Sequence, residues 1–147
     1  MKSTEALNDL IEINNDRVVG YEKAAAQADD ADLKSIFLAN AAESKKFAKE
    51  LKELVVRQGA EPVKETTFRG KIYRTWMDVK ATFGGDDRKG ILASCEFGED
   101  AAQRAYKSAL EDKDLPPETR SVVERQKEVL RGAHDRIKAM RDSVPVR

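Results

Sequence analysis

The stretch from Thr4 to Ala28 reads TEALNDLIEINNDRVVGYEKAAAQA, and its spacing decides the fold. Leu7, Ile11, Asn14, Val18, Tyr21, Ala25 and Ala28 follow one another in alternating steps of four and three. Such steps keep side chains on one seam of an α-helix. The next stretch, ADLKSIFLANAAESKKFAKELKELVVRQ from Ala31 to Gln58, keeps the rhythm with Leu33, Phe37, Asn40, Ser44, Phe47, Leu51 and Leu54. A short acidic turn separates the two, which predicts an antiparallel helical hairpin. Asp29 or Asp30 is placed to cap the second helix with its side chain, and Gly59 to end that helix in the left-handed conformation.

A second hairpin is predicted further along. Its first helix, Asp87 to about Asp112, carries Leu92, Cys95, Glu99, Ala102, Tyr106 and Ala109 on the seam. Its second, Pro117 to Arg141, carries Val123, Gln126, Leu130, Ala133, Ile137 and Met140. Pro117 suits a first helical turn, where the N–H that proline lacks would have no partner. Residues 60–86 join the hairpins. They are too many for a tight turn and hold an apolar stripe of Phe68, Ile72, Trp76, Val79 and Phe83, which reads as a short extra helix. A helix of this length is about 38 Å long, and the connection can span it, making the second and third long helices parallel. The expected fold is all-α: an up-down four-helix bundle of the ferritin-like kind, one domain over 1–147, with a partly helical crossover between helices two and three. A plain up-down-up-down bundle with the short helix docked on it is the alternative.

Composition narrows the function. Twenty-seven basic residues balance twenty-seven acidic ones, so no overall field gathers nucleic acid or anionic lipid. Cys95 is the sole cysteine, which rules out an internal disulfide and a cysteine zinc cage and fits a reducing compartment. On a seam position it reads as a small core residue. No apolar run approaches membrane-spanning length and the N-terminus lacks a secretion-signal pattern, so a bacterial-type cytoplasmic location is expected.

The seams are not purely apolar. Asn14, Asn40, Ser44, Glu99 and Gln126 occupy seam positions, with Glu22, Glu43, Glu96 and His134 one step beside them. Folding each hairpin about its turn brings Glu22, Asn40, Glu43, Glu96, Glu99 and His134 within about three helical turns of one another along the bundle. Gly20, Gly98 and Gly132 fall near this level; they provide either close backbone approach or room for a ligand or water. A di-iron carboxylate centre in such a bundle takes a Glu from two helices and a Glu-x-x-His from each of the other two. Here Lys46 stands three positions after Glu43 where His is required, and Arg131 three before His134 where Glu is required. Those two cations are expected to pair with Glu43 and Glu99 in a metal's place.

The runs Leu7-Asn8-Asp9-Leu10-Ile11-Glu12, Gly20-Tyr21-Glu22-Lys23-Ala24, Trp76-Met77, Cys95-Glu96-Phe97-Gly98-Glu99-Asp100-Ala101-Ala102 and Ala133-His134-Asp135-Arg136-Ile137 resemble a bacterial domain-of-unknown-function family of ferritin-like four-helix-bundle proteins. The resemblance runs over nearly the whole chain. It implies the ferritin-like fold, whose wider relatives bind di-iron sites, oxidise iron or handle peroxide. Carried over residue by residue, it gives Glu22, Glu43, Glu99 and His134 as metal-ligand candidates.

The leading expectation is a non-enzymatic structural or interaction protein with an internal polar network, acting as a homo-oligomer or with a protein partner. No cofactor is expected in that reading, and no nucleic acid or integral membrane association. The alternative is a metal-binding ferritin-like protein that oxidises or stores iron or manganese at a degenerate carboxylate site, with zinc as a third candidate metal. The Trp76 stripe is expected to dock on its own bundle rather than on another chain.

Overall fold

The computed structural model describes residues 2–62, Trp76 and 88–144. Four helices occur among them: α1 (Lys2–Gln27), α2 (Ala31–Arg57), α3 (Arg88–Leu110) and α4 (Pro117–Asp142). No strand occurs among the described residues. Gly59 takes φ +79° just beyond α2, the left-handed geometry that a helix C-terminus favours, and α4 begins at Pro117.

The start of α2 differs from expectation. Asp30 is the N-cap residue by backbone, yet its side chain makes no capping bond. Its carboxylate accepts instead from Arg88 Nη1 at 2.9 Å, while Asp32 accepts from both terminal nitrogens of the same guanidinium. Charge-assisted bonds to Arg88 outcompete a neutral backbone N–H. The result ties the start of α2 to the start of α3.

Chain directions follow from pairs like these. Thr4 near the start of α1 bonds Gln58 just past the end of α2. Along α1, Asn14 meets Tyr106 and Arg17 meets Glu99, so α3 descends as α1 rises. Along α4, Gln126 meets Tyr106 and His134 meets Asp100, so α4 opposes α3. Helices α2 and α3 therefore run the same way. A helix as long as α2 spans about 40 Å, so the start of α3, tied through Arg88 to the start of α2, lies about that far from the end of α2.

Among the described residues, the buried apolar side chains divide into two clusters. One holds Leu7, Leu10, Ile11, Phe47, Leu51, Leu54, Tyr106 and Leu130. The other, toward the opposite end, holds Tyr21, Phe37, Trp76, Ile91, Leu92, Cys95 and Ile137. Between them the seam residues of all four helices are polar, and this layer is the centre of the molecule.

Of the connecting segment, Trp76 is described, with helical backbone and no exposed surface. Its indole meets the Tyr21 ring edge-on, centroids 5.5 Å apart. It is thus docked on its own chain. Phe68, Ile72, Val79, Phe83 and the rest of the expected short helix lie outside the described residues. Gly20 and Gly98 explain the docking: a Cβ at Gly20 would sit 2.7 Å, and one at Gly98 2.1 Å, from atoms of the Trp76 ring. The two glycines form a slot for the indole, which is neither close approach of helix backbones nor room for a ligand or water. Gly132 differs, since a Cβ there would meet nothing within 4 Å.

Candidate functional site

The polar layer is built around Arg17, a residue that the seam as read from sequence passes over in favour of Val18. Arg17 is fully buried, whereas Val18 is half-buried. The Arg17 guanidinium grips Glu99 through two bonds, Nε to Oε1 at 3.0 Å and Nη2 to Oε2 at 2.6 Å. Its remaining terminal nitrogen donates to Ser44 Oγ, and the Tyr21 hydroxyl donates to Glu99 Oε2. The fork of donors on a planar guanidinium matches a carboxylate, which makes Arg rather than Lys suited to this place.

From Ser44 the hydrogen bonds continue in one direction. Ser44 donates to Asn14 Oδ1 at 2.9 Å, Asn14 Nδ2 to the Tyr106 hydroxyl at 2.8 Å, and Tyr106 to Gln126 Oε1 at 2.7 Å. Gln126 Nε2 donates onward to Glu50 Oε1 at 3.0 Å, and Arg125 closes the path by donating to Glu50 Oε2 at 2.7 Å. Asn14 Nδ2 also reaches Leu10 O at 2.8 Å. All four helices contribute, and Asn14, Arg17, Ser44, Glu99 and Gln126 are each fully buried. A buried polar group costs about 1–3 kcal/mol when unpaired, and along this path every member has a partner.

Electrostatics hold Arg17 charged and burial holds the two phenols of the layer neutral. Burial works against the Arg17 charge, but Glu99, with Tyr21 behind it, outweighs that and holds the guanidinium pKa above its ordinary value. Burial followed by the Glu99 charge pushes the Tyr21 phenol well up, and burial pushes Tyr106 up as well. Burial and Glu99 likewise raise the Cys95 thiol, so at neutral pH it is an unreactive core residue. An alkaline absorbance titration should find Tyr21 and Tyr106 silent past pH 10, about where a free phenol ionises. Because both phenols hold their protons more tightly folded than unfolded, their stabilisation is complete below about pH 10 and declines as pH rises toward the folded values. Tyr21 and Tyr106 titrating as ordinary phenols while the helical signal is intact would contradict the layer.

The four ligand candidates are dispersed. Glu22 is exposed and pairs with Lys45 at 3.1 Å. Glu43 is half-buried beside a groove of about 270 Å³ between α2 and α4, lined also by Ala39, Asn40, Val129, Gly132 and Arg136. Asn40 is buried there, and its Nδ2 has no partner among the described residues. Glu99 is held by Arg17. His134 faces Asp100 through Nε2 at 2.6 Å and Asp135 through Nδ1 at 3.1 Å. The expected counter-ions also change: Lys46 and Arg131 are exposed, and the cation on Glu99 is Arg17. Solvation favours the long cationic chains of Lys46 and Arg131 outside, while α1 delivers Arg17 straight into the layer.

A two-metal carboxylate centre does not fit these residues. Its place on the seam is filled by a guanidinium bonded to both oxygens of Glu99, and a dication there would have to displace a fully buried cation.

A model of the family described as Domain of unknown function (DUF2383) matches residues 2–112. No curated protein matches the chain.

Proposed function

Because the chain belongs to the family described as Domain of unknown function (DUF2383), a description that carries no activity, we propose the function its geometry supports best: a non-enzymatic helical bundle that works by association, with a second copy of itself or with a protein partner. The observation that carries this reading is the closed centre. Arg17, Glu99, Ser44 and Tyr21 are fully buried and bond one another. Association is supported by apolar side chains on the outside of α2 and α4. Leu38 is 54% and Val129 39% exposed, and Val129 borders the groove beside Glu43.

In this proposal the bundle is a single ferritin-like domain of bacterial cytoplasmic type. The opposed α1–α2 and α3–α4 pairs and the shared direction of α2 and α3 support that arrangement. Among the described residues no helix is long and apolar enough to cross a membrane, and the balanced charge gives nucleic acid no general attraction.

The test has two arms on the full chain. Iron, manganese and zinc content per chain, followed by oxygen uptake after adding ferrous iron to metal-free protein, should show no pair of metals and no oxidation above background. Sedimentation should show self-association that weakens with Val129→Glu, or a monomer that captures a defined protein partner. Two metals per chain with saturable oxygen uptake, both abolished by Glu99→Gln, would overturn the proposal in favour of a metal-dependent oxidase.

A further inference from the structure

We infer that Glu96, Asp100 and His134 form a site for a single borderline dication of the zinc type, on the α3–α4 face and apart from the buried Arg17–Glu99 centre. One ligand atom from each lies within 4.8 Å of the others. Glu96 and Asp100 stand four apart on α3, so one helical face presents both carboxylates. His134 comes across from α4 with Nε2 already 2.6 Å from Asp100.

Two further features favour a metal over an ordinary ion pair. Asp135 engages His134 Nδ1, which leaves Nε2 as the nitrogen aimed at the carboxylates. A carboxylate on the far nitrogen is the usual way a metal-bound imidazole is oriented. Glu96 is also buried to 9% exposure, so one of the oxygens is held in place rather than moving freely in water. Imidazole plus two carboxylates is a donor set for zinc, with the fourth position left to water or a donor from another molecule.

The ligand atoms around a tetrahedral zinc lie about 3.4 Å apart, so the present spread must close slightly, which rotation of the half-exposed Asp100 can accomplish. The dication takes the place of the proton on Nε2. It must also loosen Arg141, whose guanidinium donates to Glu96 and to Asp142 at 2.8 Å. Arg141 holds Asp142 through Nε at 3.2 Å as well as Nη2, so it retains a carboxylate partner after Glu96 is released. Arg141 thus weakens the site without closing it.

The experiment is calorimetric titration of zinc chloride into chelator-stripped full-length protein, with circular dichroism confirming each variant's helicity. One saturable zinc per chain is expected. His134→Ala and Asp100→Asn should each weaken it by at least about tenfold, and Asp135→Asn by roughly tenfold through loss of imidazole orientation. Arg141→Ala should strengthen it by freeing Glu96. Heat that never saturates, or an affinity unchanged by both His134→Ala and Asp100→Asn, would overturn the inference. Zinc lost in Glu99→Gln but retained in His134→Ala would place the metal at the buried centre, overturning both this inference and the closed-centre reading; a failure confined to the His134 site leaves that reading intact.

Discussion

Arg17→Ala should destabilise the fold by about 3–5 kcal/mol, the usual cost of leaving a buried charge without its partner. The loss is large because Arg17 gives Glu99 two bonds and Ser44 a third, and both charged side chains are fully buried. Glu99→Ala should cost a similar amount by stranding the guanidinium. Glu43→Ala, at the half-buried edge of the groove, should cost well under about 1 kcal/mol, as surface positions do. Changing both partners together, Arg17→Met with Glu99→Leu, should recover most of the loss, since an apolar pair of similar volume escapes the desolvation cost. Recovery should be incomplete, because Ser44 and Tyr21 each lose a partner. Denaturant midpoints measure all four proteins. Equal midpoints for Glu99→Ala and Glu43→Ala would refute the layer as the keystone of the fold.

Trp76→Ala should cost about 3–5 kcal/mol, the range for emptying a buried aromatic site. Gly98→Ala attacks the same contact from the other side. Its new Cβ would fall 2.1 Å from the ring, so the indole must shift, at a cost of about 1–3 kcal/mol. Trp76 is the single tryptophan, so its fluorescence reports the movement directly as a shift toward longer wavelength. In a Trp76→Ala background the Gly98→Ala change should become neutral or stabilising by up to about 1 kcal/mol, since alanine is then simply the better helix former. Gly132→Ala, facing open space, should be stabilising by a similar amount in the natural chain. Additive effects of Trp76→Ala and Gly98→Ala would show that the glycine is not there for the indole.

Much of this was readable from spacing because helix seams are local. Each of the four helices appears where steps of three and four recur, and Asn14, Ser44, Glu99 and Gln126 stand out as polar residues on an apolar stripe. What spacing could not supply was partnership across the bundle. Arg17 lies 82 residues from Glu99, and an arginine beside Val18 looks like a solvated neighbour of the seam. Yet Asn14, Arg17 and Tyr21 also follow steps of three and four, an alternative track that runs through the buried charge. The same limit applies to the glycines: Gly20 and Gly98 are visible as costly residues in helices, but nothing local tells that an indole from the connecting segment fills the space between them. His134 meets Asp100 rather than Glu99 because a shift of one residue turns a helix by about 100° and redirects the side chain to another face, while Glu22 and Glu43 stand on α1 and α2, away from the pair it joins.

The path from Arg17 to Glu50 has a sense as well as a position: every group along it donates a hydrogen bond to the next, ending on a carboxylate that only accepts. No member can be turned around alone. An oily interface between helices is forgiving, since sliding one helix by a turn of about 5.4 Å swaps one leucine contact for another. A one-way relay of hydroxyls and amides has a single alignment in which every arrow finds its target, and a slipped helix would leave arrows pointing at methyl groups. The middle of this protein therefore works as a vernier, rejecting near-miss assemblies that its two greasy ends would accept.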